Sequence, residues 1–116
     1  MLLKEGEMTF VLALALQAVL ATSYTCEGVS PEGKYAISLE VVQQGDNYLL
    51  LWAEENGSYG GFGILVGDQL AGVFVANGDV GVILYEVKGG ELHGVWTIGD
   101  RVKYTEVCKP ANARAA

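Results

Sequence analysis

LAGVFVANGDVGVILYEV, residues 70–87, carries the pattern that decides the fold: two apolar runs, at 70–76 and 80–87, meet at Asn77-Gly78-Asp79. A tight hairpin needs positive φ at both central residues, and Asn followed by Gly takes that backbone at the least steric cost. Runs of this length, bounded by turn residues, are strands rather than helices. The same grammar continues in both directions. Towards the N-terminus, runs at 34–43, 48–54 and 59–66 are separated by Gln44-Gly45-Asp46-Asn47, Glu55-Asn56-Gly57-Ser58 and Gly67-Asp68-Gln69. Towards the C-terminus, runs at 92–98 and 102–108 follow Lys88-Gly89-Gly90-Glu91 and Gly99-Asp100-Arg101. Asn56-Gly57 predicts a second hairpin of the Asn77-Gly78 kind. The whole series predicts an antiparallel meander.

Alternation tells which face of each strand is buried. Tyr35, Ile37, Leu39 and Val41 share one face while Ser38 and Glu40 share the other, and Val102, Tyr104 and Cys108 alternate with Lys103, Thr105 and Val107. Residues 48–52 are apolar on both faces, which predicts either burial on both sides or an outer patch offered to a partner. A short first strand at 23–29 brings the number to eight, and an even number lets the first and last strands lie antiparallel and close a small barrel. A seven-stranded sandwich is the alternative. Cys26 and Cys108 would be neighbours across that closure, as one disulfide. Glycines within the runs, at Gly60, Gly61, Gly63, Gly72, Gly81 and Gly94, are expected to let strands bend and to make room for Trp52 and Trp96.

The length of 116 residues, 51% of them hydrophobic and 18% charged, describes one domain able to bury a core. Its expected extent is 22–110, with 111–116 a flexible tail. Residues 1–21 read as a signal peptide or an N-terminal apolar helix: the run at 10–20 is too short to span a bilayer, and Val19-Leu20-Ala21 offers a cleavage site. Export to the periplasm or the extracellular space follows, with no stable membrane span once the leader is cut. The net charge of −7 sets the surface against phosphate backbones, so nucleic acid is excluded as a partner. Removing Lys4, Glu5 and Glu7 with the leader leaves −6, still acidic.

The residues that could carry chemistry are few. His93 is the only histidine, and no serine has a nucleophile-elbow context, so no catalytic residue is expected and the protein reads as a non-enzyme. Two distant cysteines and one histidine lack zinc spacing, and Asp46, Asp68, Asp79 and Asp100 read as turn residues that cap backbone amides; no metal or cofactor is expected. The glycine-rich stretch 57–63 lacks the lysine and following helix of a phosphate loop. Its reading is a flexible hairpin or bulge, or else a mobile binding loop with Tyr59 and Phe62 as candidates for ligand contact. Trp52, Tyr85 and Trp96 complete the candidate ligand-binding set.

The order of Tyr, Trp and Gly through Tyr48-Leu-Leu-Leu-Trp52, Gly61-Phe-Gly-Ile64, Leu70-Ala-Gly-Val73, Gly81-Val-Ile-Leu-Tyr-Glu-Val87 and Leu92-His-Gly-Val-Trp-Thr97 resembles a group of uncharacterised bacterial exported small β-proteins. That resemblance implies a meandering β fold and secretion, and no particular activity. Tyr24-Thr-Cys-Glu27 also resembles the opening of the membrane-bound and periplasmic lysozyme inhibitors, which are small disulfide-bearing eight-stranded barrels, with Cys108 as the closing partner. Asn56-Gly-Ser-Tyr-Gly-Gly-Phe62 lacks the basic residue of their inhibitory motif, so no inhibitory residue carries over. The expected function is a non-enzymatic binding or interaction module of the bacterial envelope, whose partner is a protein or a small apolar ligand. A lipocalin-like small-molecule carrier and an inhibitor of a basic hydrolase such as lysozyme are the alternatives.

Overall fold

The computed structural model describes residues 18–99 and 102–111. In them the meander closes on itself. Strands β1 (Ser23–Ser30), β2 (Gly33–Gln44), β3 (Asn47–Glu54), β4 (Gly57–Val66), β5 (Gln69–Ala76), β6 (Asp79–Lys88), β7 (Glu91–Ile98) and β8 (Tyr104–Pro110) pair in sequence order, and β8 pairs back with β1. The result is an all-β, closed, antiparallel eight-stranded barrel rather than a sandwich. Residues 1–17 of the predicted leader and 112–116 of the predicted tail lie outside the described residues; residues 18–21, which cleavage after Ala21 would remove, are described. Among the described residues no helix is long and apolar enough to cross a membrane.

Turn chemistry explains the register. Asn77 and Gly78 both have positive φ, 54° and 84°, as the hairpin between β5 and β6 requires. Asn56-Gly57 behaves differently from expectation: Glu54 pairs with Gly57, so the two turn residues are Glu55 and Asn56, neither with positive φ, and Gly57 already belongs to β4. The stretch 57–63, read as a flexible hairpin or bulge, is regular strand, in keeping with the predicted run at 59–66 and laddered to β3 on one side and β5 on the other.

Inward positions follow the period of two. Tyr24, Leu39, Leu50, Leu70, Tyr85 and Leu92 are fully buried, and Ile37, Val41, Trp52, Phe74 and Ile83 nearly so. Each buried leucine contributes roughly 2 kcal/mol by removing apolar surface from water. The glycines make room, but not for the residues expected. A Cβ on Gly81 would strike the ring of Phe74, one on Gly94 would lie 2.7 Å from the ring of Tyr85, and one on Gly28 would strike Tyr35. Each of these is a directly opposed cross-strand pair, Phe74 with Gly81, Tyr85 with Gly94 and Tyr35 with Gly28. The space therefore goes to Phe74, Tyr85 and Tyr35, not to Trp52 and Trp96.

One end of the barrel is sealed. The segment before β1 crosses it, held where the Ala18 amide donates to the Gly67 carbonyl (3.0 Å) and the Val41 amide donates to the Thr22 carbonyl (2.9 Å). The Ala21 amide donates to the Tyr24 hydroxyl at 2.8 Å, and Leu20 and Ala21 pack against the core. Just inside this end Cys26 and Cys108 face each other across the β1–β8 seam and are joined as a disulfide, both fully buried.

The outer wall is two-sided in character. On β1, β2 and β8 it presents Thr25, Glu27, Lys34, Ser38, Glu40, Thr105 and Lys109, the polar face of an ordinary half-buried sheet. Over β4, β5 and β6 it presents Phe62, Ile64, Val66, Val73, Val75, Val80, Val82 and Leu84, all exposed. Those strands are apolar on both faces. Residues 48–52 share the trait only in part, with Leu49 half-buried and Leu51 exposed.

Candidate functional site

The opposite end of the barrel is hollow. Between the β1–β2, β3–β4 and β5–β6 turns lies a cavity of about 300 Å³ that opens outward. Its aromatic wall comes from five different strands: Tyr35 on β2, Trp52 on β3, Tyr59 on β4, Phe74 on β5 and Trp96 on β7. The rings support one another edge to face. Phe74 stands between the two indoles, with centroids 5.6 Å from Trp52 and 6.2 Å from Trp96, and Trp96 leans on Tyr35 at 6.3 Å. Both tryptophans of the chain are thus in this one wall.

At the cavity's base is Glu106 of β8, only 4% exposed and the one charged residue type in the buried interior among the described residues. Period two aims it inward between Tyr104 and Cys108. Burying a carboxyl is costly unless its oxygens are served by donors, and here both are. The Trp96 indole N–H donates to the Tyr35 hydroxyl (2.9 Å), which donates to Glu106 Oε1 (2.7 Å). The Trp52 indole N–H donates to the Tyr85 hydroxyl (3.1 Å), which makes a short hydrogen bond to Glu106 Oε2. Each hydroxyl thus accepts a hydrogen bond from an indole and donates its own to the carboxylate. The two relays fix the direction of every bond in the network.

Electrostatically the site is one-signed. Glu32, Glu54, Asp79 and Glu106 line the cavity, and among the described residues no lysine, arginine or histidine does. The Tyr59 hydroxyl donates to Glu54 Oε2 at 2.8 Å, which orients that carboxylate at the rim. Burial raises the Glu106 carboxyl above its ordinary value of 4.5 and outweighs the hydrogen bonds from Tyr85 and Tyr35, which lower it. Burial and the nearby Glu106 in turn push the Tyr35 and Tyr85 hydroxyls upward, so both remain donors at neutral pH.

A stability change with pH follows. Between the unfolded value and the raised folded value of Glu106, the folded protein holds a proton that the unfolded chain has released, so stability declines as pH rises through that window. Urea midpoints measured from pH 4 upward are expected to fall over this range. Glu106→Gln, which cannot ionise, is expected to flatten that fall; an unchanged profile in the variant would assign it to other groups.

The candidate residues named from sequence divide three ways. Trp52, Tyr59 and Trp96 meet in the cavity wall. Tyr85 lies beneath it, fully buried, and reaches the site through its bond to Glu106. Phe62 is 60% exposed on the outer face of β4, away from this cavity, where it borders an apolar groove on the outer wall. Glu106, Tyr35, Phe74 and Glu54 were not among the candidates. The alternation Tyr104, Glu106, Cys108 was the available clue to Glu106. No protein-family model matches the chain, and no curated protein matches it. What the site can do is therefore argued from its chemistry.

The histidine and the turn aspartates considered from sequence are spread over the barrel, and Asp100 lies outside the described residues. His93 points outward from β7 and bonds Glu91 Oε1 at 2.9 Å, on the polar outside of the barrel. Asp46 and Asp68 sit in turns at the sealed end, while Asp79 lies at the rim of the open one. Cys26, Glu106 and Cys108 come together within ligand distance of a common point, but their sulfurs are consumed in the disulfide.

Proposed function

We propose that this protein is an exported, non-enzymatic binding barrel of the bacterial envelope that holds a small molecule in its open end, after the manner of a miniature lipocalin. The observation that carries the reading is the aromatic-walled cavity of about 300 Å³ over Glu106. Concave, mostly apolar sites with a few convergent polar groups are where small ligands bind, and this volume is at the small end of their range. Every connection from β1 to β7 closes in two residues, so those hairpins lack the length to reach into another protein's cleft. That favours a carrier over an inhibitor of a hydrolase. The buried disulfide supports residence in an oxidising compartment, periplasmic or extracellular.

The test is thermal unfolding against a panel of small molecules, with Ala76→Trp as the control, because Ala76 lines the cavity and a bulky ring there fills it. A ligand present at a hundredfold its Kd is expected to stabilise the folded state by roughly 2.7 kcal/mol. That shift should vanish in the variant. If nothing stabilises the protein, or if the filled variant responds equally, the carrier reading is wrong.

A further inference from the structure

We propose that the ligand class of this cavity is a small organic cation, an ammonium head on an apolar stem. The inference rests on the binding-barrel reading and adds the charge of what is bound. Three features of the same site support it. The first is the sign of the lining: four carboxylates and, among the described residues, no basic side chain. Low-dielectric walls around charges of one sign concentrate their field and raise the local concentration of the opposite sign. The second is the wall itself, since Trp, Tyr and Phe rings attract a cation through their quadrupole, most strongly where water is excluded.

The third is Glu106. Its oxygens are satisfied as hydrogen-bond acceptors, yet among the described residues no cation pairs with it. The ion pairs there are Lys88 with Glu86 and His93 with Glu91, both on the outer surface. A buried carboxylate without a counter-charge is unfavourable, and a bound ammonium supplies the counter-charge. An anionic ligand meets repulsion from every charged group in the wall. A neutral ligand gains the apolar contacts but leaves Glu106 as it was. A bare metal ion suits the site less well than an organic cation: Glu32, Glu54, Asp79 and Glu106 do not converge on a common ligand point. The negative charge is spread over rings and rim, as an ammonium on a carbon stem requires.

The test uses three probes of nearly the same size and shape and different charge: 2-phenylethylammonium, 2-phenylethanol and 3-phenylpropanoate. Trp52 and Trp96 are the only tryptophans and both line the cavity, but Trp96 also borders an apolar groove on the outer wall, so intrinsic emission is read in a Trp96→Phe background, where Trp52 alone reports this site. The ammonium probe is expected to bind about tenfold or more tighter than the alcohol, the scale set by a desolvated cation–π contact. The carboxylate is expected to give no saturable change. Glu54→Gln combined with Asp79→Asn, both at the rim and away from the buried network, should weaken the ammonium severalfold more than the alcohol. Glu106→Gln, if it folds, should do the same.

Equal affinity for ammonium and alcohol would overturn the cation assignment and leave the binding barrel standing. So would a rim variant that weakens both probes alike. Absence of any saturable emission change with all three would overturn both.

Discussion

Removing the seam disulfide, as Cys26→Ala with Cys108→Ala, is expected to cost the barrel about 4.5 kcal/mol. The bond closes a separation of 82 residues, nearly the whole described chain, and the loss of unfolded-state entropy grows with the logarithm of that loop. Domains of this size are stable by only about 5–15 kcal/mol, so the double variant should lie near the limit of folding at physiological temperature. The seam has no other covalent tie: β1 and β8 are the only neighbouring strands with no short turn between them, and their ladder is held by hydrogen bonds alone. Equilibrium urea unfolding of the variant against the oxidised parent reads the effect. An unchanged midpoint would mean that the ladder from Tyr24 to Gly28 suffices to keep the barrel shut.

Adjacent glycines in β4 should respond in opposite directions to the same change, and this is the second large effect. A Cβ on Gly61 would run into the carbonyl oxygen of Val73 and lie 2.9 Å from its carbonyl carbon and 3.0 Å from the Phe74 Cα. Those are backbone atoms of the paired strand and cannot rotate aside. Gly61→Ala must therefore spread β4 from β5, at a cost of about 3 kcal/mol or more, the upper range of overpacking. Since Phe74 opposes Gly61 and stands between the two indoles, tryptophan emission should shift as well. Gly60 points outward, and a Cβ there meets only Leu51 Cδ2 at 3.8 Å. Gly60→Ala is expected to be neutral or to gain up to about 1 kcal/mol by narrowing the unfolded ensemble. Paired denaturation curves decide it, and equal effects at the two positions would contradict the close approach described for Gly61.

Strand order and closure were legible because they depend on local chemistry. Asn77-Gly78 sets a turn wherever it stands between apolar runs, and the alternation of Tyr35, Ile37, Leu39 and Val41 needs no knowledge of the partner strand. The cysteines marked the seam because one lies on each terminal strand. Glu106 was harder to see. Alternation alone puts it inside, yet a charged residue at an inward position contradicts the usual partition between core and surface. The four residues that resolve the contradiction, Tyr35, Trp52, Tyr85 and Trp96, lie on four other strands.

Phe62 stands apart from the cavity for a related reason. In Gly61-Phe62-Gly63-Ile64, neither parity is polar, so the pattern does not say which face turns outward. Only the register with β3 and β5 does. Asn56-Gly57 shows the same limit in a turn: the dipeptide is right for a hairpin, but the ladder starts one residue earlier than the motif implies.

The barrier formed by residues 18–22 across one end of the barrel has a kinetic meaning. If the barrel holds a ligand as proposed and keeps residues 18–22, a blind floor leaves it a single doorway, and uptake and release would be one path travelled in both directions. Residence time would then be set at the lip, where Glu32, Glu54 and Asp79 line the opening. The welded seam and the packed leucines at the bottom would hold the shape without taking part in such an exchange.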